Sequence, residues 1–295
     1  MSLEKLEACP ICNGTDFRPH LICRDFTTSG EPFHVEQCEG CSVLITNPRP
    51  TQEEAGQYYE SAGYISHQSA ASGIIDHIYL IIRHFTVDWK YHLIKPYLFN
   101  KPILDFGCGT GAFLQHCQEK GINTFGVEPS KDARLISARQ KLNVSDTLTS
   151  LPQDSFDVIT LWHVLEHVYS LTDTMQRLKA LLSENGTIFI AVPNWQSPDS
   201  THYLETWAGY DVPRHVWHFS KESMIKLMQA SGLKVKKVIP MKLDSYYVSL
   251  LSEKYRAGGK LTVQSMAKGI VEGLRSNHKA RKNINHSSLI YVVQK

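Results

Sequence analysis

The sequence lacks long apolar runs, and it has almost no net charge. No apolar stretch approaches the roughly 20 residues of a membrane-spanning helix, and the net charge is +2 over 295 residues. Residues 1–7 are polar and lack the apolar core of a signal peptide. We therefore expect a cytoplasmic protein without a membrane span, and the charge makes no strong case for nucleic acid as a partner.

The chain also lacks an even set of cysteines, since it has seven and no export signal. Reduced thiols are therefore expected rather than disulfides. Four of them form the pattern C-x2-C-x25-C-x2-C, at Cys9, Cys12, Cys38 and Cys41. Two such knuckles are typical of tetrahedral zinc, and four thiolates leave no coordination position open for chemistry. The sequence thus predicts a structural Zn²⁺ site. The other three, which we expect to pack in the core, are Cys23, Cys108 and Cys117.

A glycine-rich stretch organises the middle of the chain. An apolar run ends at Asp105, then Gly107, Gly109 and Gly111 follow, and a helical pattern leads to Gly121. This order predicts a buried strand, a tight turn and a helix. Glycine removes side chains where the backbone approaches a ligand, and a helix start offers N–H groups to an anion. We expect a nucleotide-like cofactor here.

Two kinds of cofactor fit this stretch equally well at first sight. Gly107, Gly109 and Ala112 satisfy the dinucleotide pattern G-x-G-x-x-A. A dinucleotide site needs an acid after the second strand to bind the ribose hydroxyls, as does a site for another ribose-containing cofactor. Glu128 supplies such an acid. These features alone leave a nicotinamide dehydrogenase open.

Two further features carry a resemblance to a family. The spacing D-x-G-x-G-x-G from Asp105 resembles motif I of the class I S-adenosylmethionine-dependent methyltransferases, and residues 155–168 resemble the fourth strand and following loop of that superfamily. The resemblance implies an α/β fold with a Rossmann-like seven-stranded sheet, helices on both faces and an antiparallel last strand. It also implies S-adenosylmethionine as cofactor, with Pro129 and Ser130 beside the adenine and a polar contact from residues 146–148. The expected cofactor residues are Asp105, Gly107, Cys108, Gly109, Gly111, Glu128, Pro129, Trp162 and His163.

The chain divides on this basis into three parts. We expect a zinc-ribbon-like module over residues 1–48, a helical linker or lid over 49–100 and the methyltransferase domain over 101–295. Helices are predicted over 53–60 and, as one long helix, over 74–99, and a helical segment with a flexible part near Gly258 is predicted between 242 and 285. Lid candidates are the aromatic residues Tyr58, Tyr59 and Tyr64.

The pattern H-x-x-E-H at residues 163–167 also matches a zinc-protease signature in reverse order. We reject a protease, because such a motif requires a helix that projects into a cleft and a third ligand. Here it directly follows a buried apolar strand. The same letters occur in methyltransferases that resemble enzymes of the ubiquinone and menaquinone pathways.

The segment 194–220 is predicted to be an insertion that binds the acceptor. Its pattern W-x-x-Y-D-x-P-R-H-x-x-H-F-S resembles a bacterial branch of class I methyltransferases that also has the double CxxC, and that branch implies a small-molecule or glycan acceptor. His215 is the first candidate for a catalytic base and His163 the second. Arg214 is a candidate to orient an anionic substrate, whereas Trp217 and His218 are expected to pack.

Two other functions remain alternatives. One is an rRNA or tRNA base methyltransferase that uses the zinc module to bind RNA, which predicts salt-dependent RNA binding. The other is a non-catalytic zinc-ribbon adaptor on a methyltransferase fold, which predicts no cofactor binding.

Overall fold

The computed structural model describes residues 2–59 and 86–295. Its strands are β1 (Leu3–Glu4), β2 (Phe17–Arg24), β3 (Pro32–Cys38), β4 (Leu44–Thr46), β5 (Arg49–Pro50), β6 (Ile103–Phe106), β7 (Thr124–Val127), β8 (Val144–Ser145), β9 (Phe156–Trp162), β10 (Leu182–Pro193), β11 (Trp217–His218), β12 (Lys234–Pro240) and β13 (Ser288–Gln294). The described helices are α1 (86–94), α2 (Ala112–Glu119), α3 (Lys131–Arg139), α4 (Leu171–Leu181), α5 (Pro198–Tyr203), α6 (Lys221–Ala230), α7 (Asp244–Arg256) and α8 (Val263–Ala280).

The main sheet has seven strands in the order β12-β13-β10-β9-β6-β7-β8. The five strands from β10 to β8 are parallel, and β13 runs antiparallel to both of its neighbours. The predicted seven-stranded Rossmann-like sheet with an antiparallel last strand is therefore confirmed. Its central strands are buried along almost their whole length and are mostly apolar, as is typical of strands covered on both faces. Their carboxyl ends meet at one edge, where open α/β sheets bind ligands.

A second sheet of four strands has the order β11-β4-β3-β2. Three strands come from the first 48 residues, but β11 comes from the insertion, with Trp217 opposite Ile45 and His218 opposite Leu44. A two-stranded sheet, β1 with β5, lies beside it. The backbone pairing of this N-terminal sheet therefore continues into the insertion, residues 194–220, which was predicted to bind the acceptor.

Several elements differ from the sequence-based expectations. Residues 53–60 were predicted as a helix, and the described part contains a single 3₁₀ turn, Ala55–Tyr59. The sequence also favours a strand over residues 144–147, and the observed strand β8 pairs with β7 only through Val144 and Ser145. The long helix predicted over 74–99 falls partly outside the described residues, and its described part ends before a 3₁₀ turn at Lys95–Tyr97.

Residues 242–285 form two helices rather than one helix and a flexible part. Helices α7 and α8 pack side by side, and glycines make this possible: a Cβ at Gly269 would lie 3.0 Å from the backbone of Leu250, and one at Gly273 would lie 2.9 Å from that of Tyr246. Gly258 and Gly259 have positive φ angles in the turn between the helices. None of the described helices is long and apolar enough to cross a membrane.

Candidate cofactor and acceptor site

The glycine turn between β6 and α2 has positive φ at all three glycines, +75° at Gly107, +54° at Gly109 and +82° at Gly111. The three have different neighbours, however. A Cβ on Gly107 would lie 2.4 Å from Val164, and one on Gly111 would lie 2.3 Å from Leu142. Only around Gly109 do the described residues leave the Cβ position open to 4 Å. Two glycines therefore permit packing of the turn, and Gly109 faces open space.

Glu128, at the end of β7, directs its carboxylate at this turn. The Gly109 N–H donates to Glu128 Oε2 at 2.9 Å, and the Ser130 N–H donates to Oε1 at 2.8 Å. Arg134 Nη1 holds the local backbone by donating to the carbonyls of Glu128 and Pro129. The predicted ribose-binding acid and the one glycine of this turn with an open Cβ position therefore lie together.

Asp105 lies beneath the turn and is 3% exposed. Thr160 Oγ1 donates to Asp105 Oδ1 at 2.6 Å. Burial raises the pKa of Asp105 to about 7, and the hydrogen bond from Thr160 only partly opposes that rise. Cys108 is also buried, with its sulfur against Gly126.

Trp162 and His163 follow β9 at the carboxyl edge of the sheet. Trp162 packs edge-on against Phe113, and its indole N–H has no hydrogen-bond partner among the described residues. His163 has φ +58° and lies between two carboxylates, with Asp244 Oδ2 at 3.1 Å from Nε2 and Glu166 Oε1 at 3.4 Å from Nδ1. Burial disfavours its charged form, but the two carboxylates outweigh this and raise the pKa of His163 to about 9. An imidazolium with both nitrogens engaged cannot accept a proton, so His163 does not suit the role of base.

The expectation that Arg214 orients an anionic substrate is wrong, because its guanidinium is 1% exposed and fully engaged. It donates to Asp211 at 2.6 Å and 3.0 Å, to Asp25 at 3.1 Å and to the carbonyl of Tyr58 at 3.1 Å. Despite burial, the charge of Arg214 lowers the pKa of Asp211 to about 2. Arg214 thus joins β2, the 3₁₀ turn and the insertion.

His215 lies next to Arg214 and is 9% exposed. Its Nδ1 is 3.0 Å from the carbonyl of Gly209, so Nδ1 carries a proton, and its Nε2 lies 3.9 Å from Asp211 Oδ2. His167 lies against it, with ring centroids 4.6 Å apart. Burial and then the neighbouring His215 lower the pKa of His167 to about 4. These two imidazoles, together with Glu166, form a compact group at the end of the 3₁₀ turn Leu165–His167.

Aromatic side chains surround this group. Tyr59 Oη lies 3.0 Å from His167 Nδ1, whereas Tyr58 is buried, stacks edge-on with Phe33 and donates to Glu31. Tyr58 is therefore a packing residue, and the third lid candidate, Tyr64, lies outside the described residues. As expected, Trp217 and His218 are buried.

The N-terminal sheet contributes to the same region through His20. The His20 ring contacts Trp195 at 5.2 Å between centroids, and its Nε2 is 3.3 Å from Tyr210 Oη. Trp195 and Tyr210 belong to the insertion, so the N-terminal module and the insertion are in contact in this region.

The four cysteines of the double CxxC meet in one cluster. Cys9 Sγ is 3.5 Å from Cys41 Sγ, Cys12 Sγ is 3.5 Å from Cys38 Sγ, and all four sulfurs lie within 4.8 Å of one another. Tetrahedral zinc with Zn–S bonds of about 2.3 Å separates its sulfurs by about 3.8 Å. The donor set and its dimensions therefore fit Zn²⁺. A cavity of about 760 Å³ lies elsewhere, beside His202, Arg256 and Glu272, and includes none of the predicted site residues.

The strand order and the glycine turn define the class of protein. Solved structures with this fold include an S-adenosylmethionine-dependent methyltransferase from Archaeoglobus fulgidus, with a TM-score of 0.50 and 21% identity over 71% of this chain and 93% of that chain. Another is the geranyl diphosphate C-methyltransferase of Streptomyces coelicolor, with a TM-score of 0.51 and 11% identity over 78% and 88% of the two chains. At these identities the likeness concerns the fold alone.

The sequence comparisons identify the family. Residues 92–238 match the family model described as a methyltransferase domain, and the chain belongs to the S-adenosylmethionine-dependent methyltransferases. It is similar to the ubiquinone biosynthesis O-methyltransferase of Aeromonas salmonicida, with 25% identity over 61% of this chain and 79% of that protein. The protein of the same name from Glaesserella parasuis is 32% identical over 33% of this chain and 47% of its own length.

Several residues of this region could not be assigned a role from sequence. Asp244 pairs with His163, although 81 positions separate them in the sequence, and no sequence motif marks Asp244 as a site residue. In the sequence, Glu166 and His167 stand out only as part of the pattern H-x-x-E-H, which was rejected as a protease motif. The pattern H-x-x-E-H contains Glu166 and His167. The third residue of this group, His215, lies next to them only in the folded protein.

Proposed function

We propose that the protein transfers a methyl group from S-adenosylmethionine to an oxygen atom of a small-molecule acceptor. The observation that carries this proposal is the Glu128 carboxylate 2.9 Å from the N–H of Gly109, the one glycine of the turn that faces open space. The O-methyltransferase names of the relatives support oxygen as the methylated atom. A glycan acceptor has no such support from the relatives.

On the cofactor side, Glu128 accepts hydrogen bonds from the ribose hydroxyls and Gly109 lets the backbone approach the cofactor. Pro129 and Ser130 would flank the adenine, and Trp162 and His163 would line the cofactor at the carboxyl edge of the sheet. When bound, S-adenosylmethionine supplies an electrophilic methyl carbon, so that a C–O bond forms as the C–S bond breaks and its electron pair returns to sulfur. Asp105 and Cys108 support the turn from below.

On the acceptor side, the protein has to orient a hydroxyl and remove its proton. The His215 ring lies against that of His167, its Nδ1 donates to the carbonyl of Gly209, and Glu166 lies beside both imidazoles. We assign deprotonation to this group, with His215 as the proton-accepting member. His20 and Trp195 supply aromatic surface for a small molecule, and the buried Tyr210 supports His20.

We further propose that Cys9, Cys12, Cys38 and Cys41 hold a structural Zn²⁺. The supporting observations are the two 3.5 Å sulfur pairs and the close approach of Gly40, where a Cβ would lie 2.9 Å from Cys12 Sγ. We also propose that the chain consists of a zinc-ribbon-like module over residues 1–48, a helical linker or lid over 49–100 and the methyltransferase domain over 101–295.

Calorimetry with S-adenosylhomocysteine tests the cofactor assignment. Glu128→Gln should bind at least tenfold more weakly, because it loses hydrogen bonds to a charged acceptor that are worth about 1.5–3 kcal/mol. Glu119→Gln, at the exposed end of α2, is the matched control and should bind like the wild type. Equal affinity in the two variants contradicts the ribose assignment, and stabilisation by NAD instead of S-adenosylhomocysteine contradicts the proposed function.

A further inference from the structure

We propose that the cavity of about 760 Å³ among α5, α7 and α8 binds a small organic cation through its ammonium N–H groups. Each helix contributes to the lining, α5 through His202, α7 through Glu253 and α8 through Glu272. The volume lies in the range of small-molecule sites in proteins. This inference goes beyond the proposed function and does not depend on it.

Two buried carboxylates of the lining carry the proposal. The side chain of Glu253 is 10% exposed and that of Glu272 is 8% exposed. Arg256 Nη1 lies 4.0 Å from Glu253 Oε1. His202 Nδ1 and Arg275 Nη1 lie 3.8 Å and 3.5 Å from Glu272 Oε2. An N–H···O bond is about 2.7–3.2 Å long, so both carboxylates are buried with loose ion pairs, which is costly for a charged group.

The basic side chains of the lining are held elsewhere or are exposed. Arg256 donates from Nε to Thr206 Oγ1 at 3.2 Å and from Nη2 to the carbonyl of His202 at 2.6 Å. Its guanidinium also lies over the Tyr203 ring, 4.6 Å from the centroid. Lys268 is exposed, and solvent screens exposed charges more than buried ones. The buried carboxylates therefore make the cavity favourable for a cation.

The spacing of the ligand atoms favours an organic cation over a metal ion. Among the described residues, His202, Glu253 and Glu272 do not form a set whose ligand atoms all lie within 4.8 Å of one another, as the four cysteines do. A metal ion with bonds of about 2.1 Å requires such proximity. An ammonium group instead offers three N–H donors, and an alkyl chain can pack on the apolar part of the lining, which consists of Ala257, Ala267 and Val271. A short alkyl diamine has both properties.

This cavity is distant from the residues assigned to methyl transfer. Asp244, at the start of α7, contacts His163 beside the cofactor site. Glu253 follows nine residues later in the same helix, which corresponds to about 13 Å along the helix axis. A cation bound at Glu253 is therefore not in a position to receive the methyl group, and the cavity is a second binding site.

Calorimetric titration of the full-length protein with putrescine tests the site. The wild type should bind one putrescine per chain. Butanediol has the same chain length without charge, and tetramethylammonium has a charge without N–H donors, so both should bind at least tenfold more weakly. Glu253→Gln and Glu272→Gln should each weaken putrescine binding at least tenfold. The matched control is Glu222→Gln, because Glu222 pairs with Lys226 at the surface of α6, outside the cavity; it should bind putrescine like the wild type.

Wild-type protein that does not bind putrescine overturns the proposal, as does equal affinity for putrescine and tetramethylammonium. Equal putrescine affinity in the two cavity variants and Glu222→Gln also overturns it. Circular dichroism identifies a cavity variant that does not fold, and the other variant then decides. If neither folds, the comparison of the three probes on the wild type decides. S-adenosylhomocysteine binding, measured in parallel, tests the proposed function separately, since it should be unchanged in Glu253→Gln and Glu272→Gln.

Discussion

At the scale of single residues, partners decide roles that residue type leaves open. His163 and His215 are both histidines that sequence reasoning put forward as bases, yet His163 lies between two carboxylates, whereas His215 Nδ1 donates to the carbonyl of Gly209. Arg214 similarly turns from a candidate substrate ligand into a structural cation. Its environment holds no room for a ligand, because Asp211, Asp25 and backbone carbonyls take up its donors.

Removal of the Arg214 charge should destabilise the protein strongly. Arg214→Met leaves Asp25 and Asp211 without their buried cation, and breaking one partner of a buried pair costs about 3–5 kcal/mol. Urea denaturation measures the loss. Arg275→Met is the control, because Arg275 pairs with Glu272 at the surface and its loss should cost about 1 kcal/mol or less. Similar losses in both variants would show that Arg214 does not hold these segments together.

The elevated pKa of Asp105 makes stability depend on pH. In the folded protein Asp105 keeps its proton up to about pH 7, whereas the unfolded chain releases it near pH 4. The folded state therefore binds the extra proton between these values, and its stability falls as pH rises through that window, by roughly 1.4 kcal/mol per pH unit. Asp105→Asn lacks this dependence.

We expect the stability of Asp105→Asn, relative to the wild type, to increase by about 2 kcal/mol between pH 5 and pH 8, measured by urea denaturation without cofactor. Parallel stability curves for the two proteins over this range would contradict a raised pKa of Asp105 in the folded state.

At the scale of elements, the strand–turn–helix unit at residues 103–119 illustrates how one motif serves both packing and binding. Gly107 and Gly111 let Val164 and Leu142 approach the turn, and this contact holds the loop after β9 against the loop after β6. Gly109 contributes no packing and leaves space. The spacing of glycines thus predicts the turn, but not which glycine faces the ligand.

Glycine substitutions can separate these two uses. Gly111→Ala should cost about 2–5 kcal/mol, since a left-handed conformation and a Cβ 2.3 Å from Leu142 act together. Gly121→Ala has a similar φ of +80° but open space, and it should cost only about 1–2 kcal/mol. Thermal unfolding of both variants measures the difference, and equal melting temperatures would argue against close packing at Gly111.

At the scale of the whole molecule, the cysteine-bearing segment and the insertion are joined through one sheet and several hydrogen bonds. Strand β11 completes the N-terminal sheet, and Thr46 Oγ1 donates to the carbonyl of His215 at 2.7 Å. Lys226 of α6 reaches the carbonyl of Gly40 in the second knuckle at 2.8 Å. A disturbance at the cysteines should therefore reach His215 before it reaches the glycine turn.

Loss of zinc should uncouple the two sides of the site. In Cys12→Ser we expect loss of one zinc per chain, faster hydrogen exchange in β4 and β11, and methyl transfer reduced at least tenfold, while S-adenosylhomocysteine affinity changes less than threefold. Cys23→Ala, a buried thiol outside the cluster, should retain the zinc. A parallel loss of cofactor affinity in Cys12→Ser would show that the two sides are not separable.

The sequence by itself determined the alternation of strands and helices, the glycine turn, the acid at Glu128 and the pairing of two CxxC knuckles. These features are local, because each depends on residue spacing along a strand, turn or helix. A stretch of some thirty residues is enough to predict each of them. Resemblance to a family then supplied the seven-stranded sheet with its antiparallel last strand.

Only the tertiary structure decided which charged groups meet. Asp244 reaches His163, Asp25 reaches Arg214, and His215 reaches Glu166 and His167 across long separations in sequence. Burial and charge pairing then set the protonation of each group, and these are properties of the assembled site. No local pattern encodes them, because they arise only when segments that are distant in sequence come together in the folded protein.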